Sequence, residues 1–149
     1  MSQNKISVSE IISKKLFKNK DYNKIIRLLL VDDMDDYRKL IKRLLRMHLT
    51  QYNFSIVEAS DGVEAKRYSE SYYFDLVLTD FEMPLMNGYD LSLKLKEKNK
   101  NLTIISFSAS YNKDLNDCTK EDPYDYVIQK GTDNKEVVKT INNALLKLV

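Results

Sequence analysis

Apolar residues along this chain follow two alternating patterns. Short unbroken aliphatic runs take turns with stripes that recur every three or four positions. The runs IIRLLLV (25–31), FSIVEA (54–59), FDLVLTD (74–80), LTIISFSA (102–109) and YDYVIQK (124–130) have strand length. Between them lie helical stripes. Tyr37, Ile41, Leu44, Leu45 and His48 share one face, with Arg38, Lys42, Arg43 and Arg46 mostly off it. Asp61-Gly62 reads as a turn before a short helix from Val63 to Ser69. NGYDLSLKLKEK starts from Asn87-Gly88 and runs as a helix. The last helix begins near TDNKE, where Asp133 and Glu136 supply a cap, and it carries Val137, Ile141, Leu145 and Leu148 on one face. The fourth helix is weakly written, because YNKDLNDCTKEDP has little apolar periodicity and Pro123 ends it.

Strands alternating with helices predict an α/β fold with a parallel sheet covered on both faces. Nearly continuous aliphatic runs suit such strands, because neither face meets water. Right-handed crossovers restrict the topology to a few doubly wound arrangements of five strands. This unit is expected to span residues 25–149. Residues 1–24 precede it as a basic helix and linker. In ISVSEIISKKLF, Ser7 and Glu10 have capping-box spacing, and Ile6 and Ile11 fit a hydrophobic staple. Val8, Ile12 and Leu16 form an apolar stripe. A helix this short is marginal alone, so it is expected to dock on its own domain, a second copy or a partner.

Composition narrows the classes. A chain of 149 residues with 43% hydrophobic and 31% charged residues suits one compact domain with a core. The apolar runs are far too short to span a membrane, and no secretory signal opens the chain. A single cysteine, Cys118, excludes an internal disulfide framework and makes the reducing cytoplasm the simplest location. The net charge of +2 is uneven. Residues 1–27 carry seven Lys or Arg against two acids, and the remainder seventeen against twenty. The basic patch is small and lacks a recognition motif, so direct nucleic-acid binding is not expected.

The candidate chemistry lies where the runs end. Ligands of open α/β sheets bind outside the carboxyl ends of the strands. Those ends carry Asp32-Asp33, Asp80, Ser108-Ala109 and Lys130. Three acids, a hydroxyl and an ammonium would converge at one rim. Asp32 and Asp33 also suit a helix N-terminus. Asp35 and Asp36 read as first-turn acids of the next helix. His48, the lone histidine, reads as a favourable helix end near the negative pole rather than a phosphorylation site. The tyrosines, including those in YSESYYF and YDY, read as half-buried packing with a polar tip.

The motifs LLLVDD, FDLVLTDFEMPLMNGYDL and ISFSA, with Lys130, resemble a response-regulator receiver (CheY-like) domain of two-component signalling. The resemblance covers residues 25–149 and implies a flavodoxin-like (βα)5 fold. It implies that Asp80 accepts a phosphoryl group from a histidine kinase or histidine phosphotransfer protein. Asp33, Asp80 and the backbone carbonyl of Glu82 would bind Mg²⁺, or Mn²⁺ in its place, with Asp32 acting through water. Lys130 would balance phosphoryl charge and Ser108 would donate a hydrogen bond to it. Such a domain is a phosphoacceptor signalling module rather than an enzyme, and assists only its own phosphotransfer and autodephosphorylation. Its output would be altered binding of a downstream protein at the face made by the fourth helix, fifth strand and fifth helix. No output domain follows, and Met1 with the tidy final helix suggests a complete chain rather than a segment of a hybrid kinase.

Two positions depart from the family pattern. The aromatic residue three before the lysine is Val127 here, with Tyr126 one place off, so either a bulge restores Tyr126 or the usual switch is missing. The proline that follows the lysine through a cis bond is Gly131. Two other readings stay open. One is a pseudo-receiver used only as a binding surface. The other is a haloacid-dehalogenase-type phosphatase with Asp33 as nucleophile and Asp35 as general acid.

Overall fold

The computed structural model describes residues 23–109 and 122–149. The expected leader helix, Cys118 and most of the expected fourth helix lie outside them. Five strands form one parallel sheet: β1 (Ile25–Val31), β2 (Asn53–Ala59), β3 (Leu76–Asp80), β4 (Thr103–Ser108) and β5 (Tyr126–Gln129). Their order is β2-β1-β3-β4-β5. Four helices are described: α1 (Asp35–His48), α2 (Gly62–Ser71), α3 (Gly88–Lys98) and α4 (Asn134–Leu145). The doubly wound, flavodoxin-like architecture read from the sequence is therefore the observed one. The chain leaves β1 toward β2 on one side and reaches β3 on the other, which opens a crevice at the carboxyl ends of β1 and β3.

Alternation along β1 divides the interior into two layers. Ile26, Leu28 and Leu30 face α1 and α4, where Ile41, Leu44, Leu45, Val137, Ile141 and Leu145 close the core. Leu29 and Val31 face the other way, against Ala65 of α2 and Leu91 and Leu95 of α3. All five residues of β3 are buried, as a central strand covered by helices on both sides requires. Each fully buried aliphatic side chain contributes about 1.5–3 kcal/mol relative to exposure.

Local chemistry sets the boundaries. β3 begins at Leu76 rather than Phe74, because Phe74 turns into the α2–α3 layer. The Asp75 carboxylate meanwhile accepts the Arg27 backbone N–H and its guanidinium, at 2.9 and 3.0 Å. Asp61 is not a turn residue but the N-cap of α2, accepting the Glu64 N–H at 2.8 Å, and Gly62 is already helical. Glu64 returns the bond to the Ser60 N–H at 2.8 Å, a reciprocal capping arrangement. Asn87 caps α3 through the Asp90 N–H. Asp133 caps α4, accepting from Lys135 rather than acting with Glu136. Asp35 and Asp36 do lie in the first turn of α1, and His48 in its last. Leu148 lies beyond α4 yet still packs on its core layer. No described helix is long and apolar enough to cross a membrane.

Gly88 ties α3 to the end of β3. Its N–H bonds the Phe81 carbonyl at 2.8 Å, and a Cβ there would lie 2.0 Å from the Asp80 carbonyl oxygen. The obstacle is backbone and cannot swing aside. Gly88→Ala is therefore expected to destabilise the fold by about 1–3 kcal/mol, as overpacked sites do, and to shift the Asp80 amide resonance. Urea unfolding and a two-dimensional amide NMR spectrum would check both.

Candidate functional site

Three strand ends meet at the crevice. Asp32 follows β1, Asp80 closes β3 and Lys130 follows β5. The Lys130 ammonium bridges them, with Nζ 2.7 Å from Asp32 Oδ2 and 2.9 Å from Asp80 Oδ2. Asp32 and Asp80 are 2% and 6% exposed, whereas Asp33 beside them is exposed. One carboxylate oxygen from each of Asp32, Asp33 and Asp80 lies within 4.8 Å of the others. Three carboxylates against one ammonium leave the site net negative. Clustered hard oxygen donors of this kind suit Mg²⁺ or a similar divalent cation, which takes oxygen ligands in octahedral geometry.

Backbone contacts aim these groups. Asp32 Oδ1 accepts the Met34 N–H at 2.8 Å, leaving Oδ2 for Lys130. Asp80 Oδ1 accepts a long bond, 3.4 Å, from the Glu82 N–H. Ser108 is buried at the end of β4, and its carbonyl accepts the Lys130 N–H at 2.7 Å. The structure thus brings together the sequence-predicted Asp32, Asp33, Asp80 and Lys130, with Ser108 bonded to Lys130 and Glu82 bonded to Asp80 through the main chain.

Burial pushes the Asp80 carboxyl above the ordinary carboxylate range, against the opposing pull of the Lys130 ammonium. For Lys130, burial alone would lower the pKa, but its bonds to Asp32 and Asp80 outweigh burial and raise it. Such shifts are common at functional sites.

Two contributors were not read from the sequence as site residues. Arg38 reads from the sequence only as a residue mostly off the apolar stripe. Its side chain is only 14% exposed, and its guanidinium donates to the Asp32 carbonyl at 2.5 Å while Glu58 and Asp35 hold it at 3.2 and 3.1 Å. Helical side chains lean toward the N-terminus, so an arginine one turn after Asp35 reaches back to the β1–α1 loop. That spacing was the available signal. Tyr37, read only as part of the apolar stripe, has its ring 4.4 Å from Lys130 Nζ. Asp35 is accounted for by ion pairs with Arg38 and Lys39, a structural role for one of the remaining acids.

The two departures from the family pattern now have geometry. β5 pairs with β4 in unbroken register, from Ile105↔Tyr126 to Ser108↔Gln129. No bulge restores Tyr126, which packs on the α1–α4 side of the sheet beneath the Lys147 ammonium, 5.1 Å from its ring. Val127 points to the other face and is 36% exposed. Beyond it, no described peptide bond is cis, and Gly131 has φ +88°. The Thr132 N–H reaches the Gln129 carbonyl at 3.2 Å. One positive φ at the third residue of such a turn is the type II pattern, which favours glycine.

Comparison with known proteins agrees with this geometry. The family model described as response regulator receiver domain matches residues 28–142. Chemotaxis protein CheY-3 of Vibrio cholerae is 36% identical over 92 residues, 58% of this chain and 66% of that protein. The sensor protein EvgS of Escherichia coli K12 is 35% identical over 85 residues, 57% of this chain but only 7% of that protein. Among solved structures, response regulator TrrA of Thermotoga maritima, in complex with Mg²⁺-BeF, aligns with a TM-score of 0.68 and 26% identity, covering 80% of this chain and 98% of that one.

Two outcomes follow from the geometry. Because the folded state raises the Asp80 pKa, it holds that proton more tightly than the unfolded chain does. Ionising Asp80 therefore costs stability, a loss that begins at the ordinary carboxylate pKa and is complete above the folded one. Asp80→Asn is expected to unfold at higher denaturant than wild type at pH 7, with the gap closing below the carboxylate range. Urea midpoints across pH would show it. No atom of the described residues, apart from its chain neighbours, lies within 4 Å of a Cβ built on Gly131, so Gly131→Ala should cost only the backbone penalty, about 1–2 kcal/mol, with Gly131→Asn costing less in the same measurement.

Proposed function

The chain belongs to the response regulator receiver domain family, and from that premise we propose that it is a phosphoacceptor whose phosphorylated residue is Asp80. The observation that carries this reading is the buried Asp80 carboxylate at the mouth of a net-negative, three-carboxylate crevice, bridged to Asp32 by Lys130. An Asp80 oxygen attacks the phosphorus of a phosphohistidine on a sensor kinase or phosphotransfer protein. The P–N bond breaks, the imidazole leaves and takes up a proton, and an acyl phosphate forms. Positioning and charge stabilisation carry most of such a transfer.

Asp33 and Asp80, the Glu82 carbonyl and, through water, Asp32 would hold a divalent cation, which when bound lets two anionic groups approach. Lys130 balances charge on the phosphoryl oxygens, and the Ser108 hydroxyl donates to one of them. The surroundings fit a protein donor. Met34, Val63 and Leu85 are exposed apolar side chains on the loops and helix start around the crevice, and Leu85 is 83% exposed. Leu85 also holds a left-handed φ of +70°, a strained conformation for such a residue.

The output is altered binding of a downstream protein at the β5 and α4 side of the domain. With Val127 in regular register, this output does not use the usual aromatic swing. A phosphatase using Asp33 is disfavoured, because Asp33 is the exposed acid and Lys130 bonds to Asp32 and Asp80. Asp35, its supposed general acid, is engaged by Arg38 and Lys39.

Intact-protein mass after incubation with acetyl phosphate and Mg²⁺ tests the assignment. Wild type is expected to gain one phosphoryl group in a metal-dependent manner, and Asp80→Asn to gain none. An adduct that persists in Asp80→Asn would move the nucleophile. No adduct from acetyl phosphate or from a phosphohistidine donor would leave a pseudo-receiver.

A further inference from the structure

We propose that Tyr37 is a positioning residue that holds the Lys130 ammonium at the crevice through its aromatic ring, doing part of what the missing proline constraint does elsewhere. The inference rests on the phosphoacceptor reading for its consequence, though not for its geometry.

The Lys130 side chain is held at its ammonium end. Its backbone is fixed by the Ser108 carbonyl, but the next residue is Gly131, where an added Cβ would meet no described residue beyond its chain neighbours within 4 Å. A lysine stem has four rotatable bonds and a large rotamer entropy to lose. Among the described residues, its Nζ lies by Asp32 Oδ2 at 2.7 Å, Asp80 Oδ2 at 2.9 Å and the Tyr37 ring centroid at 4.4 Å. The ring is well inside the range of cation–π attraction.

The ring is itself fixed. Tyr37 is the third residue of α1, and its N–H bonds the Met34 carbonyl at 3.1 Å. It meets Phe107 edge-to-face, with centroids 5.5 Å apart and planes at 74°. Phe107 is buried on β4, next to Ser108. The orientation of the ring is thus inherited from the helix and the sheet, independently of the acids.

That independence gives the contact its use. The carboxylates that hold Lys130 belong to the same set that suits a divalent cation. A cation drawing on Asp32 and Asp80 competes for their oxygens, but not for the face of a phenol ring. Tyr37 is then the partner that keeps Lys130 beside Asp80 when its ion pairs are diluted, so the ammonium need not be recovered from solvent at each transfer.

The test compares Tyr37→Phe, which keeps the ring, with Tyr37→Leu, which keeps only apolar bulk. Two readouts are taken on each full chain. The first is the NMR shift of the Lys130 side-chain methylene protons, with and without Mg²⁺, which an aromatic ring at this distance moves upfield. The second is the initial rate of adduct formation from acetyl phosphate and Mg²⁺. An upfield shift in wild type and Tyr37→Phe, persisting with Mg²⁺ and lost in Tyr37→Leu, is expected. The Leu variant should also react about two- to tenfold more slowly while the Phe variant keeps the wild-type rate. Equal rates in the Leu variant and wild type would overturn the proposal, as would Lys130 signals at unperturbed positions in wild type. If wild type forms no adduct with any donor, the phosphoacceptor reading fails. The Lys130 shift and its response to Mg²⁺ then decide the positioning claim alone.

Discussion

One ammonium holds the carboxyl edge of this sheet together. Lys130 reaches Asp32 from 98 residues away and Asp80 from 50, so β1, β3 and β5 are joined at a point where no aliphatic side chain does the work. Taking two carboxylates out of water side by side is costly. Sharing one cation offsets part of that cost, yet a buried ion pair rarely adds net stability. The arrangement leaves an excess of negative charge in a buried crevice. Its justification is therefore to be sought in chemistry and not in folding energy.

The rest of the fold can be understood as what keeps those acids where they are. Aliphatic strands that are dry on both faces carry their buried registry up to the residue before the acids: Val31 before Asp32, and Leu78 and Thr79 before Asp80. The β2-β1-β3-β4-β5 order then brings the ends of β1 and β3 side by side. Gly88 lets α3 start hard against the Asp80 carbonyl. Arg38, held by Glu58 from β2, grips the Asp32 carbonyl. These contacts fix main-chain atoms. The acid side chains thus project from a backbone that has little room to relax away from their mutual repulsion.

The parts of this arrangement that were legible in the sequence share a cause. Strands buried on both faces must be apolar, so 28–31 and the core of 74–80 announce themselves, and polar residues end such runs at the crevice. Asp32, Asp33, Asp80 and Lys130 were found that way. What depends on a side chain's direction was less readable. Arg38 and Tyr37 sit side by side in sequence, one off the stripe and one on it. Only the phase of α1 against the β1–α1 loop reveals that both turn toward the crevice. Phe74 and Asp75 looked like strand, because local pattern cannot show that Asp75 is claimed by Arg27. The register of β5 was also undecidable, since its four residues, Tyr-Val-Ile-Gln, carry no clean alternation of apolar and polar character.

That register has a further consequence for how a charge change at Asp80 reaches the surface. Regular pairing puts Tyr126 on the α1–α4 core, with Lys147 over its ring, and Val127 on the opposite face beside Ser106. An aromatic ring alternating between inward and outward positions is thus unavailable where the family uses it. One connection among the described residues runs through the main chain. The Ser108 carbonyl accepts the Lys130 N–H, and Lys130 and Gly131 are the central residues of the Gln129–Thr132 turn that precedes Asp133, the cap of α4. That bond ties the end of β4 to the segment that enters α4. Glycine at the turn has no side chain, and no described residue beyond its chain neighbours lies within 4 Å of where a Cβ would be. The departures at Val127 and Gly131 flank Lys130: the first sits in a strand of regular register, the second in a turn whose positive φ glycine accommodates.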